Sequence, residues 1–162
     1  MHSKVNHQLK ARLITKTSNT TEEQMNTDRV GNNGVAYYKP GTELPEGSVY
    51  VFISKFSGRH GYGTSRLAIH KYGALFNKST GFHGQSYALC FECEDGVLLS
   101  EEIMIKRFKL FERFANDSYC TYYVADFINE IDTDLIIKVA PILRKIRNCY
   151  FPISFKQYIN LN

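Results

Sequence analysis

Apolar residues change their spacing along this chain. Between residues 35 and 94, the short runs VAYY, SVYVFISKF and QSYALCFEC alternate with the turn PGTELPEG and with glycines at 58, 61, 63, 73, 81 and 84. That pattern predicts strands joined by long loops. Residues 64–76 (TSRLAIHKYGALF) fit two descriptions, because Thr64 or Ser65 could cap a short helix ending at Gly73, while RLAIHKY alternates as a strand does. Helix is the preferred reading of the two. Asp95-Gly96 lies between apolar runs and has the composition of a hairpin turn, which would return residues 97–99 antiparallel to the preceding strand.

From Ser100 the period becomes 3.6. Ser100 suits an N-cap, and Glu101 and Glu102 sit where the positive end of a helix dipole favours carboxylates. Ile103, Met104, Phe108, Leu110, Phe111, Phe114 and Ala115 fall in one arc, and Glu102, Lys106, Lys109 and Arg113 in the other. Arg107 projects from the apolar arc, where it would snorkel or pair with a carboxylate. SYCTYYVAD reads as a strand, and Asp132 to Asp134 open a second helix whose apolar face runs from Leu135 through Ile146 to Cys149. Its phase continues through Pro141, which predicts a kinked helix with the proline toward solvent. The expected class is therefore α+β: a mainly antiparallel sheet with two amphipathic helices, about 100–116 and 133–149, packed on it.

The chain has 162 residues, and all 22 of its Phe and Tyr lie beyond residue 36. Residues 35–162 are thus the expected single globular domain, preceded by a basic N-terminal segment and polar linker at 1–34 that offers little apolar area. A continuous secretory h-region and a membrane-length apolar run are lacking in the sequence, so a cytoplasmic protein without membrane contact is expected. Cys90 and Cys93 form a CxxC inside a strand-like run, where residues three apart point to opposite faces. Four reduced cysteines, no metal and no cofactor are the expectation.

Known phosphate motifs fail on spacing. Asn77-Lys78-Ser79-Thr80 resembles the end of a P-loop, but Asn77 precedes the lysine and Gly73 is one place too close. Gly61-Tyr62-Gly63 would need glycine or alanine at 66 for a dinucleotide turn, and Arg66 stands there. One distribution remains. Residues 47–91 contain no acid but carry Lys55, Arg59, Arg66, Lys71 and Lys78 among nine Phe and Tyr and His60, His70 and His83. Cations and rings in flexible loops can grip phosphates and bases, or anchor a protein partner. An opposite tract, with Asp117, Asp126, Glu130, Asp132 and Asp134, lies between Arg113 and Lys138, and the two together invite self-association.

In its lysine, asparagine, isoleucine and tyrosine usage and its lack of tryptophan, the composition resembles that of small accessory proteins of AT-rich genomes, large lytic phages included. The resemblance implies a protein that binds and inhibits a host enzyme. The leading expectation is accordingly a non-catalytic regulatory protein, homo-oligomeric in form, contacting its partner through Arg59, Tyr62, Arg66 and Phe82. The alternative is a nucleic-acid-binding protein or metal-independent nuclease in which His60, His70, Lys71 and His83 contact or cleave the phosphodiester.

Overall fold

The computed structural model describes residues 34–161, so the expected basic segment and linker lie almost wholly outside the described residues. Six strands form one sheet: β1 (Ala36–Tyr38), β2 (Val49–Ser54), β3 (Gly81–His83), β4 (Ser86–Cys90), β5 (Tyr122–Val124) and β6 (Cys149–Pro152). The helices are α1 (Gly63–Lys71), α2 (Glu101–Asn116), α3 (Thr133–Leu143) and the short α4 (Lys156–Ile159), which follows a 3₁₀ turn at Ile153–Phe155. Strand order is β1-β6-β5-β2-β4-β3, and every neighbouring pair is parallel except β3–β4. The expectation of a mainly antiparallel α+β sheet is corrected by this order. The fold is α/β with a mixed, mostly parallel sheet.

The reason lies in burial. A parallel strand covered on both faces carries apolar side chains at every position, and VYVFIS in β2 is such a run. Register fixes which side chains share a face. Tyr50, Phe52, Ser86, Ala88 and Tyr123 point to one side, and Val49, Val51, Tyr87, Tyr122 and Val124 to the other. Tyr72, at the end of α1, stacks on Tyr50 with ring centroids 4.5 Å apart, which puts α1 on the first face. Phe111 of α2 packs on Tyr87 and Tyr122 across the second, and α3 is tied to α2 by Lys138 and Glu101. Helices therefore cover both faces. The chain passes from β2 to β4 on one side, then back across to β5 and on to β6.

Residues 64–71 are helical, as preferred from sequence, although Tyr62 and not Thr64 or Ser65 occupies the N-cap. Asp95-Gly96 does turn the chain, with Gly96 at φ +79°, but it closes one isolated bridge between Glu92 and Leu98 and adds no strand to the sheet. Helix α2 begins as expected, with the Ser100 Oγ accepting from the Ile103 amide. The helix expected over 133–149 ends at Leu143. Its exposed Pro141 lies inside α3, and Ile146 and Cys149 remain buried although the chain has left the helix to enter β6. Arg144 turns its guanidinium to the Ile159 carbonyl at 2.8 Å, holding α4 against that end. Among the described residues, no helix is long and apolar enough to cross a membrane.

Candidate functional site: a crevice at the carboxyl ends of the strands

The connections after the neighbouring strands β2 and β4 leave for opposite faces of the sheet, α1 on one and α2 on the other, and the segments separate to leave a crevice beyond the strand ends. Here that crevice is a cavity of about 860 Å³. Its walls come from the β2–α1 loop (Lys55, Ser57, Arg59, Gly61, Tyr62), the end of β4 and the turn after it (Phe91, Glu92, Leu98, Leu99), the start of α2 (Glu101, Met104) and the β5–α3 loop (Glu130, Ile131, Asp132). Ile53, Met104, Ile131 and Leu135 supply apolar floor.

The β2–α1 loop is shaped by its glycines. Gly58 has φ +61° and lies against the Asn77 backbone, which a Cβ would meet at 2.7 Å, so no other residue fits. Gly63 has φ +52°, and a Cβ there would approach the Glu130 carboxylate within 2.6 Å. That carboxylate accepts from the Thr64 amide at 2.9 Å and from the Thr64 hydroxyl at 3.3 Å, capping α1. Among the described residues, the amides of Gly61 and Tyr62 donate to no backbone carbonyl.

Behind the loop, residues 74–80 form a second layer stitched to the first. The Asn77 amide donates to the Gly58 carbonyl at 3.0 Å, and the Ser54 hydroxyl donates to the Ser79 carbonyl. Two buried histidines complete the seam. His60 Nε2 faces the carbonyls of Leu75 and Lys78 at 3.1 and 2.9 Å, so it carries the proton there. His83 Nδ1 accepts from the Leu75 amide at 2.9 Å, so it is the bare nitrogen. Burial, the neighbouring His60 and Lys78 hold the His83 pKa below the usual imidazole value. The rings lie 6.0 Å apart against Phe52.

Charge in the crevice is largely compensated. Lys55 reaches Glu92 at 3.5 Å and lies over the Tyr62 ring; Glu101 is bound by Lys138 at 2.7 Å; Glu130 caps α1; and Asp132 caps α3 through the Asp134 amide at 3.0 Å. Arg59 is exposed and makes no ion pair among the described residues. It is the wall's uncommitted positive charge.

Of the four residues expected to contact a partner, Arg59, Tyr62 and Arg66 are exposed neighbours along the β2–α1 loop and the first turn of α1, where the Arg66 amide donates to the Tyr62 carbonyl at 3.3 Å. Phe82 stands apart on the other face of the sheet. Arg59 and Tyr62 share the crevice rim, and Tyr62 is 77% exposed. Arg66 is exposed on α1 and lines no described cavity. Phe82 stands on edge strand β3 against Phe114 of α2, at 5.8 Å. Of the alternative set, His60 and His83 converge, but both are interred at 5% and 4% exposure and committed to backbone groups. His70 and Lys71 are exposed along α1. No family model, curated protein or solved structure matches this chain. The site is therefore read from its geometry.

Sequence reasoning missed Glu92, Leu98 and Glu101 and placed Glu130 and Asp132 only in an acidic docking tract; the five follow two strands, β4 and β5. The available signal was the glycine tract SGRHGYG standing directly between an apolar run and a helix, which in a parallel sheet marks a ligand loop.

Proposed function

We propose that the chain is a small-molecule-binding protein whose crevice takes a nucleotide-like ligand, a ring system joined to an anionic phosphate or diphosphate. The observation that carries this reading is the β2–α1 loop: glycine-shaped, held rigidly from behind, with the Gly61 and Tyr62 amides unengaged by backbone and Arg59 unpaired beside them. Backbone amides and an arginine fork are the groups that hold phosphate oxygens. Tyr62 on one wall and Leu98 on another offer the faces against which a base or other flat ring packs. The cavity volume of about 860 Å³ suits a ligand larger than a mononucleotide. Its position also agrees by analogy with doubly wound sheets, which bind ligands where the strand order reverses. The reading concerns binding, and assigns no reaction.

Calorimetric titration with adenosine, AMP, ADP, ADP-ribose and NAD tests it. Affinity is expected to rise from adenosine to ADP by about tenfold or more, and Arg59→Ala is expected to remove most of that gain. Equal affinities for adenosine and ADP, or no binding by any of the series, would overturn the reading.

A second reading is favoured by the exposure of Tyr62 and Arg59. They could anchor a partner protein over the crevice mouth, as the expected regulatory role requires, since aromatic and arginine side chains dominate interface energies. Contact with a long nucleic acid has less support, because the basic tract does not form one wall: Lys55 and Arg59 line the crevice, while Arg66, His70 and Lys71 lie exposed along α1 outside it.

A further inference from the structure

A second cavity, of about 320 Å³, opens on the α1 face of the sheet between β1, β2, α1 and the β5–α3 loop. It shares Gly63 and Glu130 with the crevice, and Glu130 already accepts from Thr64, so Asp126, which lines this cavity and not the crevice, is the carboxylate that distinguishes the two sites. We propose that this cavity is a binding site for a small organic cation carrying a guanidinium group on a short alkyl stem.

The polar groups that line it include two carboxylates and three phenols. Asp126 and Glu130 face it from the β5–α3 loop, and Tyr38, Tyr50 and Tyr72 from the sheet and the end of α1. Tyr50 is only 5% exposed, and its hydroxyl, which makes no hydrogen bond among the described residues, keeps its access at the cavity wall. Burial, followed by the nearby Tyr72, Glu130 and Asp126, raises the Tyr50 phenol pKa and keeps it protonated beside the carboxylates. The Tyr38 hydroxyl spends its proton on the Val124 carbonyl at 2.7 Å, which leaves its oxygen free only to accept. Asp126 receives one hydrogen bond, from the Ser154 hydroxyl to Oδ1 at 2.8 Å.

Acceptors therefore dominate, and the complementary ligand is one that only donates. A guanidinium has five N–H donors and no acceptor, and its flat shape suits two carboxylates and a phenol oxygen approached from different sides. Leu44 and Leu67 on the wall can cover the alkyl stem. Lys71 lies on the rim but is exposed and pairs with neither carboxylate, so it does not fill the site. A phosphate or carboxylate ligand would set acceptor against acceptor.

The test is a titration of the full chain with agmatine, followed by amide NMR shifts, alongside N-carbamoylputrescine, in which a neutral ureido group replaces the guanidinium. Agmatine is expected to give saturable shifts at Thr64, Leu67, Tyr72 and Asp126, with the neutral analogue about tenfold weaker or more. Asp126→Asn should weaken agmatine by about tenfold, and Tyr50→Phe, which keeps the ring packing, by a smaller factor. N-acetylarginine methylamide identifies the source: binding as tight as agmatine points to an arginyl side chain, and weaker binding to a free amine, both with the guanidinium held. Failure of agmatine to bind, equal binding of the neutral analogue, shifts centred elsewhere, or an unchanged Asp126→Asn affinity would each overturn the proposal. A nucleotide that fails to bind the crevice would leave these outcomes unaffected.

Discussion

The two faces of the sheet are built from different materials. Under α2 and α3 the layer is dry: Phe108, Phe111, Val51, Val124, Leu135 and Val139 are buried together, and Tyr87 and Tyr122 contribute mainly their rings. Under α1 the buried set includes Ser54, Ser65, Ser86, His60 and His83, each hydrogen-bonded to backbone: Ser54, His60 and His83 to the 74–80 segment, and Ser65 and Ser86 to the residue three positions back. The first face is held by area removed from water, which is indifferent to direction. The second is held by directed bonds to backbone, and these fix the β2–α1 loop that walls the crevice. Rigidity of the ligand loops is thus obtained from polar groups, where an apolar core could position them only loosely.

That contrast can be broken from either side. The largest effect is expected from Phe111→Ala, which empties the centre of the dry face and should cost about 3–5 kcal/mol in urea unfolding, while leaving the amide signals of the 57–63 loop in place. On the polar face, Gly84→Ala should cost about 1–3 kcal/mol, because Gly84 has φ +60° and a Cβ would meet the Gly73 carbonyl oxygen at 2.1 Å. In contrast with Phe111→Ala, it should shift the loop signals. A loss of loop signals in both variants would mean that the faces are not mechanically separate.

Ser100→Ala removes the α2 cap and should cost about 0.5–1 kcal/mol, toward the low end because the bond is 3.4 Å long. The smallest effect is a pH dependence confined to the polar face. With the folded His83 pKa depressed below 6.5, the unfolded chain binds more protons between the two values. Stability is therefore complete above pH 6.5 and declines as pH falls through that window. His83→Asn keeps an acceptor for the Leu75 amide. The drop in urea midpoint between about pH 7.5 and about pH 5.5 should be smaller in this variant than in the parent chain. An equal drop in both would show that His83 does not carry the dependence.

The same contrast explains what could be read from the residues alone. Helix α2 and its cap were legible because a one-sided apolar arc leaves a 3.6-residue period, and the dry face is where such arcs are needed. The end of α3 was not, since Ile146 and Cys149 keep the apolar phase after the backbone has left the helix. Strand direction was hidden because β2, covered on both sides, shows no alternation, and three-residue strands such as β5 are too short to carry one. Arg59 and Tyr62 stood out through residue type in a glycine tract. Glu92 did not, and Glu130 and Asp132 showed only as members of an acidic tract, because only the crossing of the chain from β4 back to β5 brings their loops together at the crevice.

The most direct test of the crevice as a nucleotide site is an amide NMR titration of the full chain with ADP. The largest shifts are expected on Gly61 and Tyr62, accompanied by Leu98 and Leu99 across the cavity, with adenosine moving only the latter pair. Shifts concentrated on Arg66 and His70 along the outer side of α1, with the 57–63 loop unmoved, would contradict it.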